Sequence, residues 1–142
     1  MSKINWGRVL LGGLLAGVVT GAFTAVFIPL FGGAWNESLE ALGASMPDPT
    51  AAFVVGGTAL NFATGIVAVW LYAAIRPRYG AGPKAAAIAG FAIWLILALA
   101  DLSLVLLTNL TVGLVAAIHG PSIVTFVVAT QAGAWVYREP TP

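Results

Sequence analysis

Asp101 and His119 are the only side chains between Lys84 and Arg138 that can carry a charge near neutral pH. A carboxylate in so apolar a stretch is costly and normally faces a partner, a cavity or water. An imidazole beside it could exchange a proton in the physiological range. The chemistry within reach of this pair is therefore proton transfer or the holding of a polar ligand. Wider chemistry lacks its residues. With no cysteine there is no thiolate nucleophile and no cysteine metal site, and one His with five carboxylates falls short of a zinc centre. His119 as an axial haem or pigment ligand would give one-sided ligation, with no second ligand evident. No catalytic signature or cofactor motif occurs, so the expectation is a non-enzyme without cofactor or metal.

The elements that position the pair follow from composition. Of 142 residues 60% are hydrophobic and only 8% charged, with a mean hydropathy of +0.98. So few charges could not cover the surface of a soluble domain of this size. Between Arg8 and Glu37 there are 28 residues without formal charge, and between Asp48 and Arg76 there are 27. Each exceeds the roughly 20 residues that cross a hydrocarbon core. The stretch from Lys84 to Arg138 is too long for one helix and is broken by Thr108-Asn109-Leu110-Thr111. The sequence thus predicts a single all-α membrane domain over 1–142, a bundle of four transmembrane helices spanning roughly 6–28, 50–75, 84–107 and 112–137.

Orientation comes from charge. Lys3, Arg8, Arg76, Arg78, Lys84 and Arg138 all fall on one side of such a model, and Glu37, Glu40 and Asp48 fall on the other. The positive-inside rule then places both termini in the cytoplasm. Trp6, Trp70, Tyr72, Trp135 and Tyr137 mark the same interface. Trp70-Leu71-Tyr72 and Trp135-Val136-Tyr137 stand in corresponding places of two hairpins. An aromatic belt explains this without a duplication. The apolar run after Arg8 exceeds a signal-peptide core, so the first helix is expected to be retained.

Past Pro29, Trp35, Leu39 and Leu42 recur at i, i+4, i+7 with Gly43 placed to stop a helix. This predicts a short amphipathic helix in the outer interface, between the first two spans. Asp48-Pro49 suits the N-cap and first position of the second span.

Counting along the spans, Asp101 and His119 both lie about 9–11 Å below the outer end of consecutive antiparallel helices. Asn61 and Thr20 lie only slightly deeper. Ser122 and Thr125 extend the polar set down the fourth helix, where Gly120-Pro121 should free a carbonyl near His119. These six residues are read as one polar layer. It is either a ligand or proton site or a set of side chains that satisfy one another and fix helix register. Gln131, near the inner end, reads as a helix–helix hydrogen bond.

Packing faces are marked by small residues. Gly13, Gly17, Gly21 and Ala25 form a ridge spaced by four, and Gly57, Asn61 and Gly65 form a similar row on the second helix. Such rows let backbones approach in lipid, within one chain or across a dimer.

The segment Pro29-Leu30-Phe31-Gly32-Gly33-Ala34-Trp35 after Gly21-Ala22, the opening Ile4-Asn5-Trp6-Gly7-Arg8, and Val69-Trp70-Leu71-Tyr72-Ala73-Ala74-Ile75-Arg76-Pro77 carry a resemblance. In these motifs and in layout the chain resembles small four-helix bacterial membrane proteins grouped as a domain of unknown function. The resemblance implies a bacterial inner-membrane setting and supplies no activity.

The leading expectation is a membrane protein that works through helix packing, as a homo-oligomer or an accessory subunit of a larger complex. Its partners would be the lipid bilayer and other membrane subunits, and no dense basic patch points to nucleic acid. The alternative is a small-molecule or proton-coupled transporter using Asp101 and His119. A membrane-embedded enzyme comes third.

Overall fold

The computed structural model describes residues 4–41, 43, 50–107 and 112–138, and these are helical almost throughout, with no strand among them. Four helices follow one another: α1 Trp6–Ala41, α2 Ala51–Tyr79, α3 Pro83–Leu107 and α4 Val112–Val136. Each contains a stretch long and apolar enough to cross a membrane; in α1 it is Trp6–Phe27.

The ends of the helices are set by local chemistry. Asn5 caps α1, its Oδ1 accepting the Arg8 N–H at 3.2 Å. Thr50 caps α2, its hydroxyl accepting the Phe53 N–H at 3.2 Å. The expected cap Asp48-Pro49 and the expected break at Thr108–Thr111 lie outside the described residues, as does Lys3. The turn between α2 and α3 uses Gly80 at φ 84° and Gly82 at φ 134°, conformations that side chains resist. Pro83 then opens α3, where its missing N–H is no loss.

Two boundaries differ from expectation. α1 does not stop at Pro29 but continues through it to Ala41, a helix of 36 residues. The short amphipathic helix is therefore the continuation of α1 rather than a separate element. A proline removes one backbone bond, here to the Ala25 carbonyl, and the helix carries that single loss. Gly43 stops the helix as its position suggests, at φ 70° with its N–H on the Glu40 carbonyl at 2.9 Å. Leu42 and the side chain of Trp35 lie outside the description. α2 likewise runs past Ile75 and Pro77 to Tyr79, where the Gly80 N–H closes on the Arg76 carbonyl at 2.9 Å.

Neighbouring helices are antiparallel. α1 contacts α2 and α4, α3 contacts α4 and α2, and α2 also reaches α4. Among the described residues α1 and α3 do not meet. The seams are glycine contacts. A Cβ on Gly13 would collide with the Ile66 backbone, and one on Gly17 would lie 2.5 Å from the Phe62 ring. A Cβ on Gly65 would meet the Gly13 carbonyl and, at 2.7 Å, the Gly17 nitrogen. Gly12 and Gly133 make the corresponding approach between α1 and α4, and Gly90 lies against Phe126 and Val127 between α3 and α4.

The core gathers toward the end that carries the arginines. Val9, Ala16, Val69, Tyr72, Ala73, Ala85, Ala86, Ala89, Ala129, Ala134 and Tyr137 form one buried cluster. Tyr72 and Tyr137 meet edge to face at 5.9 Å, and the Arg76 guanidinium lies 5.7 Å from the Tyr137 ring centroid. Asn5 ties the first helix into this group, with Nδ2 donating to the Arg138 carbonyl at 3.2 Å. Trp6, Trp70 and Trp135 are exposed around it. Each Trp-x-Tyr thus turns its tryptophan outward and its tyrosine inward. At the opposite, acidic end packing thins out, and all ten residues 51–60 of α2 are exposed.

Candidate functional site between α3 and α4

The structure brings Asp101 and His119 together. His119 Nε2 lies 2.7 Å from Asp101 Oδ2, across the α3–α4 seam near the acidic end. The geometry behind this is the antiparallel hairpin: α3 leaves Asp101 and α4 reaches His119 after nearly equal rises, so the two stand at one level. The His119 side chain is 14% exposed and that of Asp101 48%. One member of the pair is therefore walled in by protein while the other remains open to its surroundings. His119 Nδ1 is buried without a hydrogen-bond partner among the described residues.

The fourth helix is locked to the third at the same level. The Trp94 indole N–H donates to the His119 carbonyl at 2.7 Å, and the Ser122 hydroxyl donates to the same oxygen at 3.0 Å. Pro121 lies in the next turn and has no N–H for the Ala117 carbonyl. Helix α4 is thus short of one internal bond beside the residue whose carbonyl takes two side-chain donors. Trp94 also packs on Phe91, with ring centroids 5.3 Å apart.

Charge alone does not mark Trp94 as part of the site. The signal was its place: the other described spans keep Trp near their basic ends, whereas Trp94 sits midway along α3. A tryptophan removed from an interface must find an acceptor for its N–H inside the protein.

An open apolar groove of about 280 Å³ runs along this seam, lined in part by Trp94, Ala98, Leu102, Val115, Ala116 and His119. Asp101 is one hydrogen bond from its wall. Asp101 and His119 are the only candidates here for a metal, and no group of three His, Asp or Glu side chains gathers to hold one among the described residues.

The remaining members of the expected layer do not join the pair. Asn61 Nδ2 donates to the Gly17 carbonyl at 3.1 Å, tying α2 to α1. Thr20 donates to the Ala16 carbonyl of its own helix at 2.9 Å. Among the described residues no hydrogen bond connects either of them to Asp101 or His119. Asn61 and Thr20 make these hydrogen bonds within the α1–α2 pair, and Asp101 and His119 make theirs within the α3–α4 pair. Thr125 is buried on α4, its hydroxyl lacking a partner among the described residues. Gln131 is exposed.

The packing residues also divide. Gly13, Gly17 and Gly65 are seam positions, and a Cβ on Gly21 would lie 3.1 Å from Asn61 Nδ2. Gly57 is not a seam position among the described residues, none of which lies within 4 Å of where its Cβ would be. The α1–α2 seam ends at the Gly21–Asn61 level, one turn before Gly57. Gly12, Gly90 and Gly133 take its place. Their signal was small residues spaced by four in Ala86/Gly90 and Ala129/Gly133.

Comparison with protein-family models, with curated proteins and with solved structures finds no match. Function must therefore be argued from these residues.

Proposed function

We propose that the chain is a multi-pass protein of the bacterial inner membrane, a four-helix bundle with both termini cytoplasmic. It works by helix packing, as a homo-oligomer or an accessory subunit of a membrane complex. Orientation is supported by the basic residues at one end and by Glu37 and Glu40 at the other. The resemblance to small four-helix bacterial membrane proteins supports the setting.

The observation that carries the reading is Gly56-Gly57 with the helix around it. In lipid, exposure of apolar side chains has no hydrophobic penalty, so Phe53, Val54 and Leu60 facing outward would by itself say little. More informative is that 51–60 covers no stripe on any face. Two adjacent glycines weaken a helix by about 1 kcal/mol each relative to alanine. Gly12, Gly13, Gly17, Gly65, Gly90 and Gly133 admit a neighbouring backbone, but among the described residues nothing lies within 4 Å of a Cβ at Gly56 or Gly57, as at Gly33, Gly113 and Gly120, and only at 56 and 57 do two such glycines adjoin. A close-packed helix from another subunit supplies the missing reason. The ridge of α1 does not, since its glycines already serve the α1–α2 seam.

α1 adds to this exposed end. Its 36 residues reach about 54 Å against a hydrocarbon core of about 30 Å. Once Trp6–Phe27 has crossed, residues 28–41 extend into or beyond the outer interface, with Glu37 and Glu40 exposed.

The Asp101–His119 contact favours a second reading, a small-molecule or proton-coupled transporter with its site at that pair. Four helices are few for a transport path, so this reading also requires at least a dimer.

Because the chain has no cysteine, single replacements report proximity cleanly. Gly57→Cys in native membranes is expected to cross-link to a second copy or to another subunit, and Val67→Cys, exposed nearer the basic end, is not. Equal cross-linking at both positions, or none at Gly57, contradicts the proposal.

A further inference from the structure

We propose that the α3–α4 groove binds a lipophilic organic cation, its apolar body in the groove and its charge against the Asp101 carboxylate. The inference rests on the second reading above, that Asp101 and His119 form a ligand site, and names the ligand class.

Three features select a cation. The open groove, about 280 Å³, falls just below the usual size of a small-ligand pocket; Ala98, Leu102, Val115 and Ala116 give it carbon walls, and Asp101 stands beside it, one hydrogen bond beyond His119. Trp94 offers a ring without a free donor, because its indole N–H is already held by the His119 carbonyl at 2.7 Å. An aromatic face whose N–H is engaged attracts positive charge and offers nothing to an anion. Among the described residues Asp101 is the one carboxylate at this level, bonded to His119 at 2.7 Å yet 48% exposed, so a ligand can reach it.

The charge balance points the same way. No Lys or Arg occurs between Arg8 and Arg76 or between Lys84 and Arg138, so no basic side chain of the four spans faces the carboxylate at this depth. His119 is its sole internal counter-charge, and only when protonated. Where His119 is neutral the carboxylate draws a cation and repels an anion, more strongly in a low-dielectric setting than in water. A neutral ligand would use the walls and leave Asp101 idle.

Benzyltrimethylammonium and its uncharged carbon isostere neopentylbenzene separate these cases by equilibrium dialysis, with the purified full chain in nanodiscs and empty nanodiscs as baseline. The expected result is saturable binding of the cation that Asp101→Asn weakens about tenfold or more, the loss of one charge contact, with the isostere unaffected. Asp101→Glu should restore it. Ala98→Phe, which fills the groove and leaves Asp101 in place, should abolish binding in a protein of unchanged helicity. If both probes bind alike and Asp101→Asn changes neither, the groove is a ligand site but not a cation site, and the inference is overturned. If neither probe binds saturably, the ligand-site reading falls with it.

Discussion

Gly12 and Gly133 face each other so closely that a Cβ on Gly12 would lie 2.5 Å from the Gly133 carbonyl oxygen, and one on Gly133 would lie 2.6 Å from that of Gly12. Backbone cannot yield as a flexible side chain can. Gly133→Val and Gly13→Leu are therefore expected to destabilise the fold by at least the 1–3 kcal/mol, roughly, of an overpacked core. Gly56→Ala meets open space and should stabilise the isolated chain by about 0.5–1 kcal/mol through helix propensity, while weakening association. Unfolding in mixed micelles, with oligomer content followed in parallel, checks both signs.

The Asp101–His119 bond should contribute modestly to stability. Interhelical hydrogen bonds in membranes average about 0.6 kcal/mol, and the Asp101 side chain at 48% exposed is not fully sequestered. A double-mutant cycle with Asp101→Asn and His119→Gln is expected to give a coupling below about 2 kcal/mol. Asn61→Ala should add independently to either, because Asn61 bonds to Gly17 on another seam. Strong coupling between Asn61 and Asp101 would instead reunite the two ties into one layer.

Topology is tested by fusions. A fluorescent protein on the C-terminus should fold and emit in the cytoplasm, and alkaline phosphatase inserted after Gly43 should be active on the far side. Moving the positive charge of Arg76, Arg78 and Lys84 to the acidic end should disturb this arrangement.

The four helices were legible because long uncharged runs leave few alternatives, and the Asp101–His119 level was legible because hairpin geometry makes depth a matter of counting. What could not be read was which helices are neighbours. Thr20, Asn61, Asp101 and His119 are expected at a similar depth, but depth says nothing of azimuth, and Asn61 turns to Gly17 while Asp101 turns to His119. The glycine rows had the same ambiguity: spacing by four identifies a face, yet Gly17 meets Phe62 while Gly57 meets nothing. Pro29 misled for a different reason. A proline costs a helix one internal bond and usually marks an end, but α1 carries that single loss and continues to Ala41. Trp94 was hidden because a tryptophan in an apolar run looks like any other apolar residue until its N–H is counted.

In the proposed function this chain works packed against another subunit through its acidic half. Native mass spectrometry of the protein, extracted mildly from its own membrane, tests it most directly. The expected species are multiples of the 14.5 kDa chain, or that chain bound to a second membrane subunit, with Gly57→Leu returning it to the single-chain mass. A species at 14.5 kDa alone, unchanged by Gly57→Leu, would contradict it.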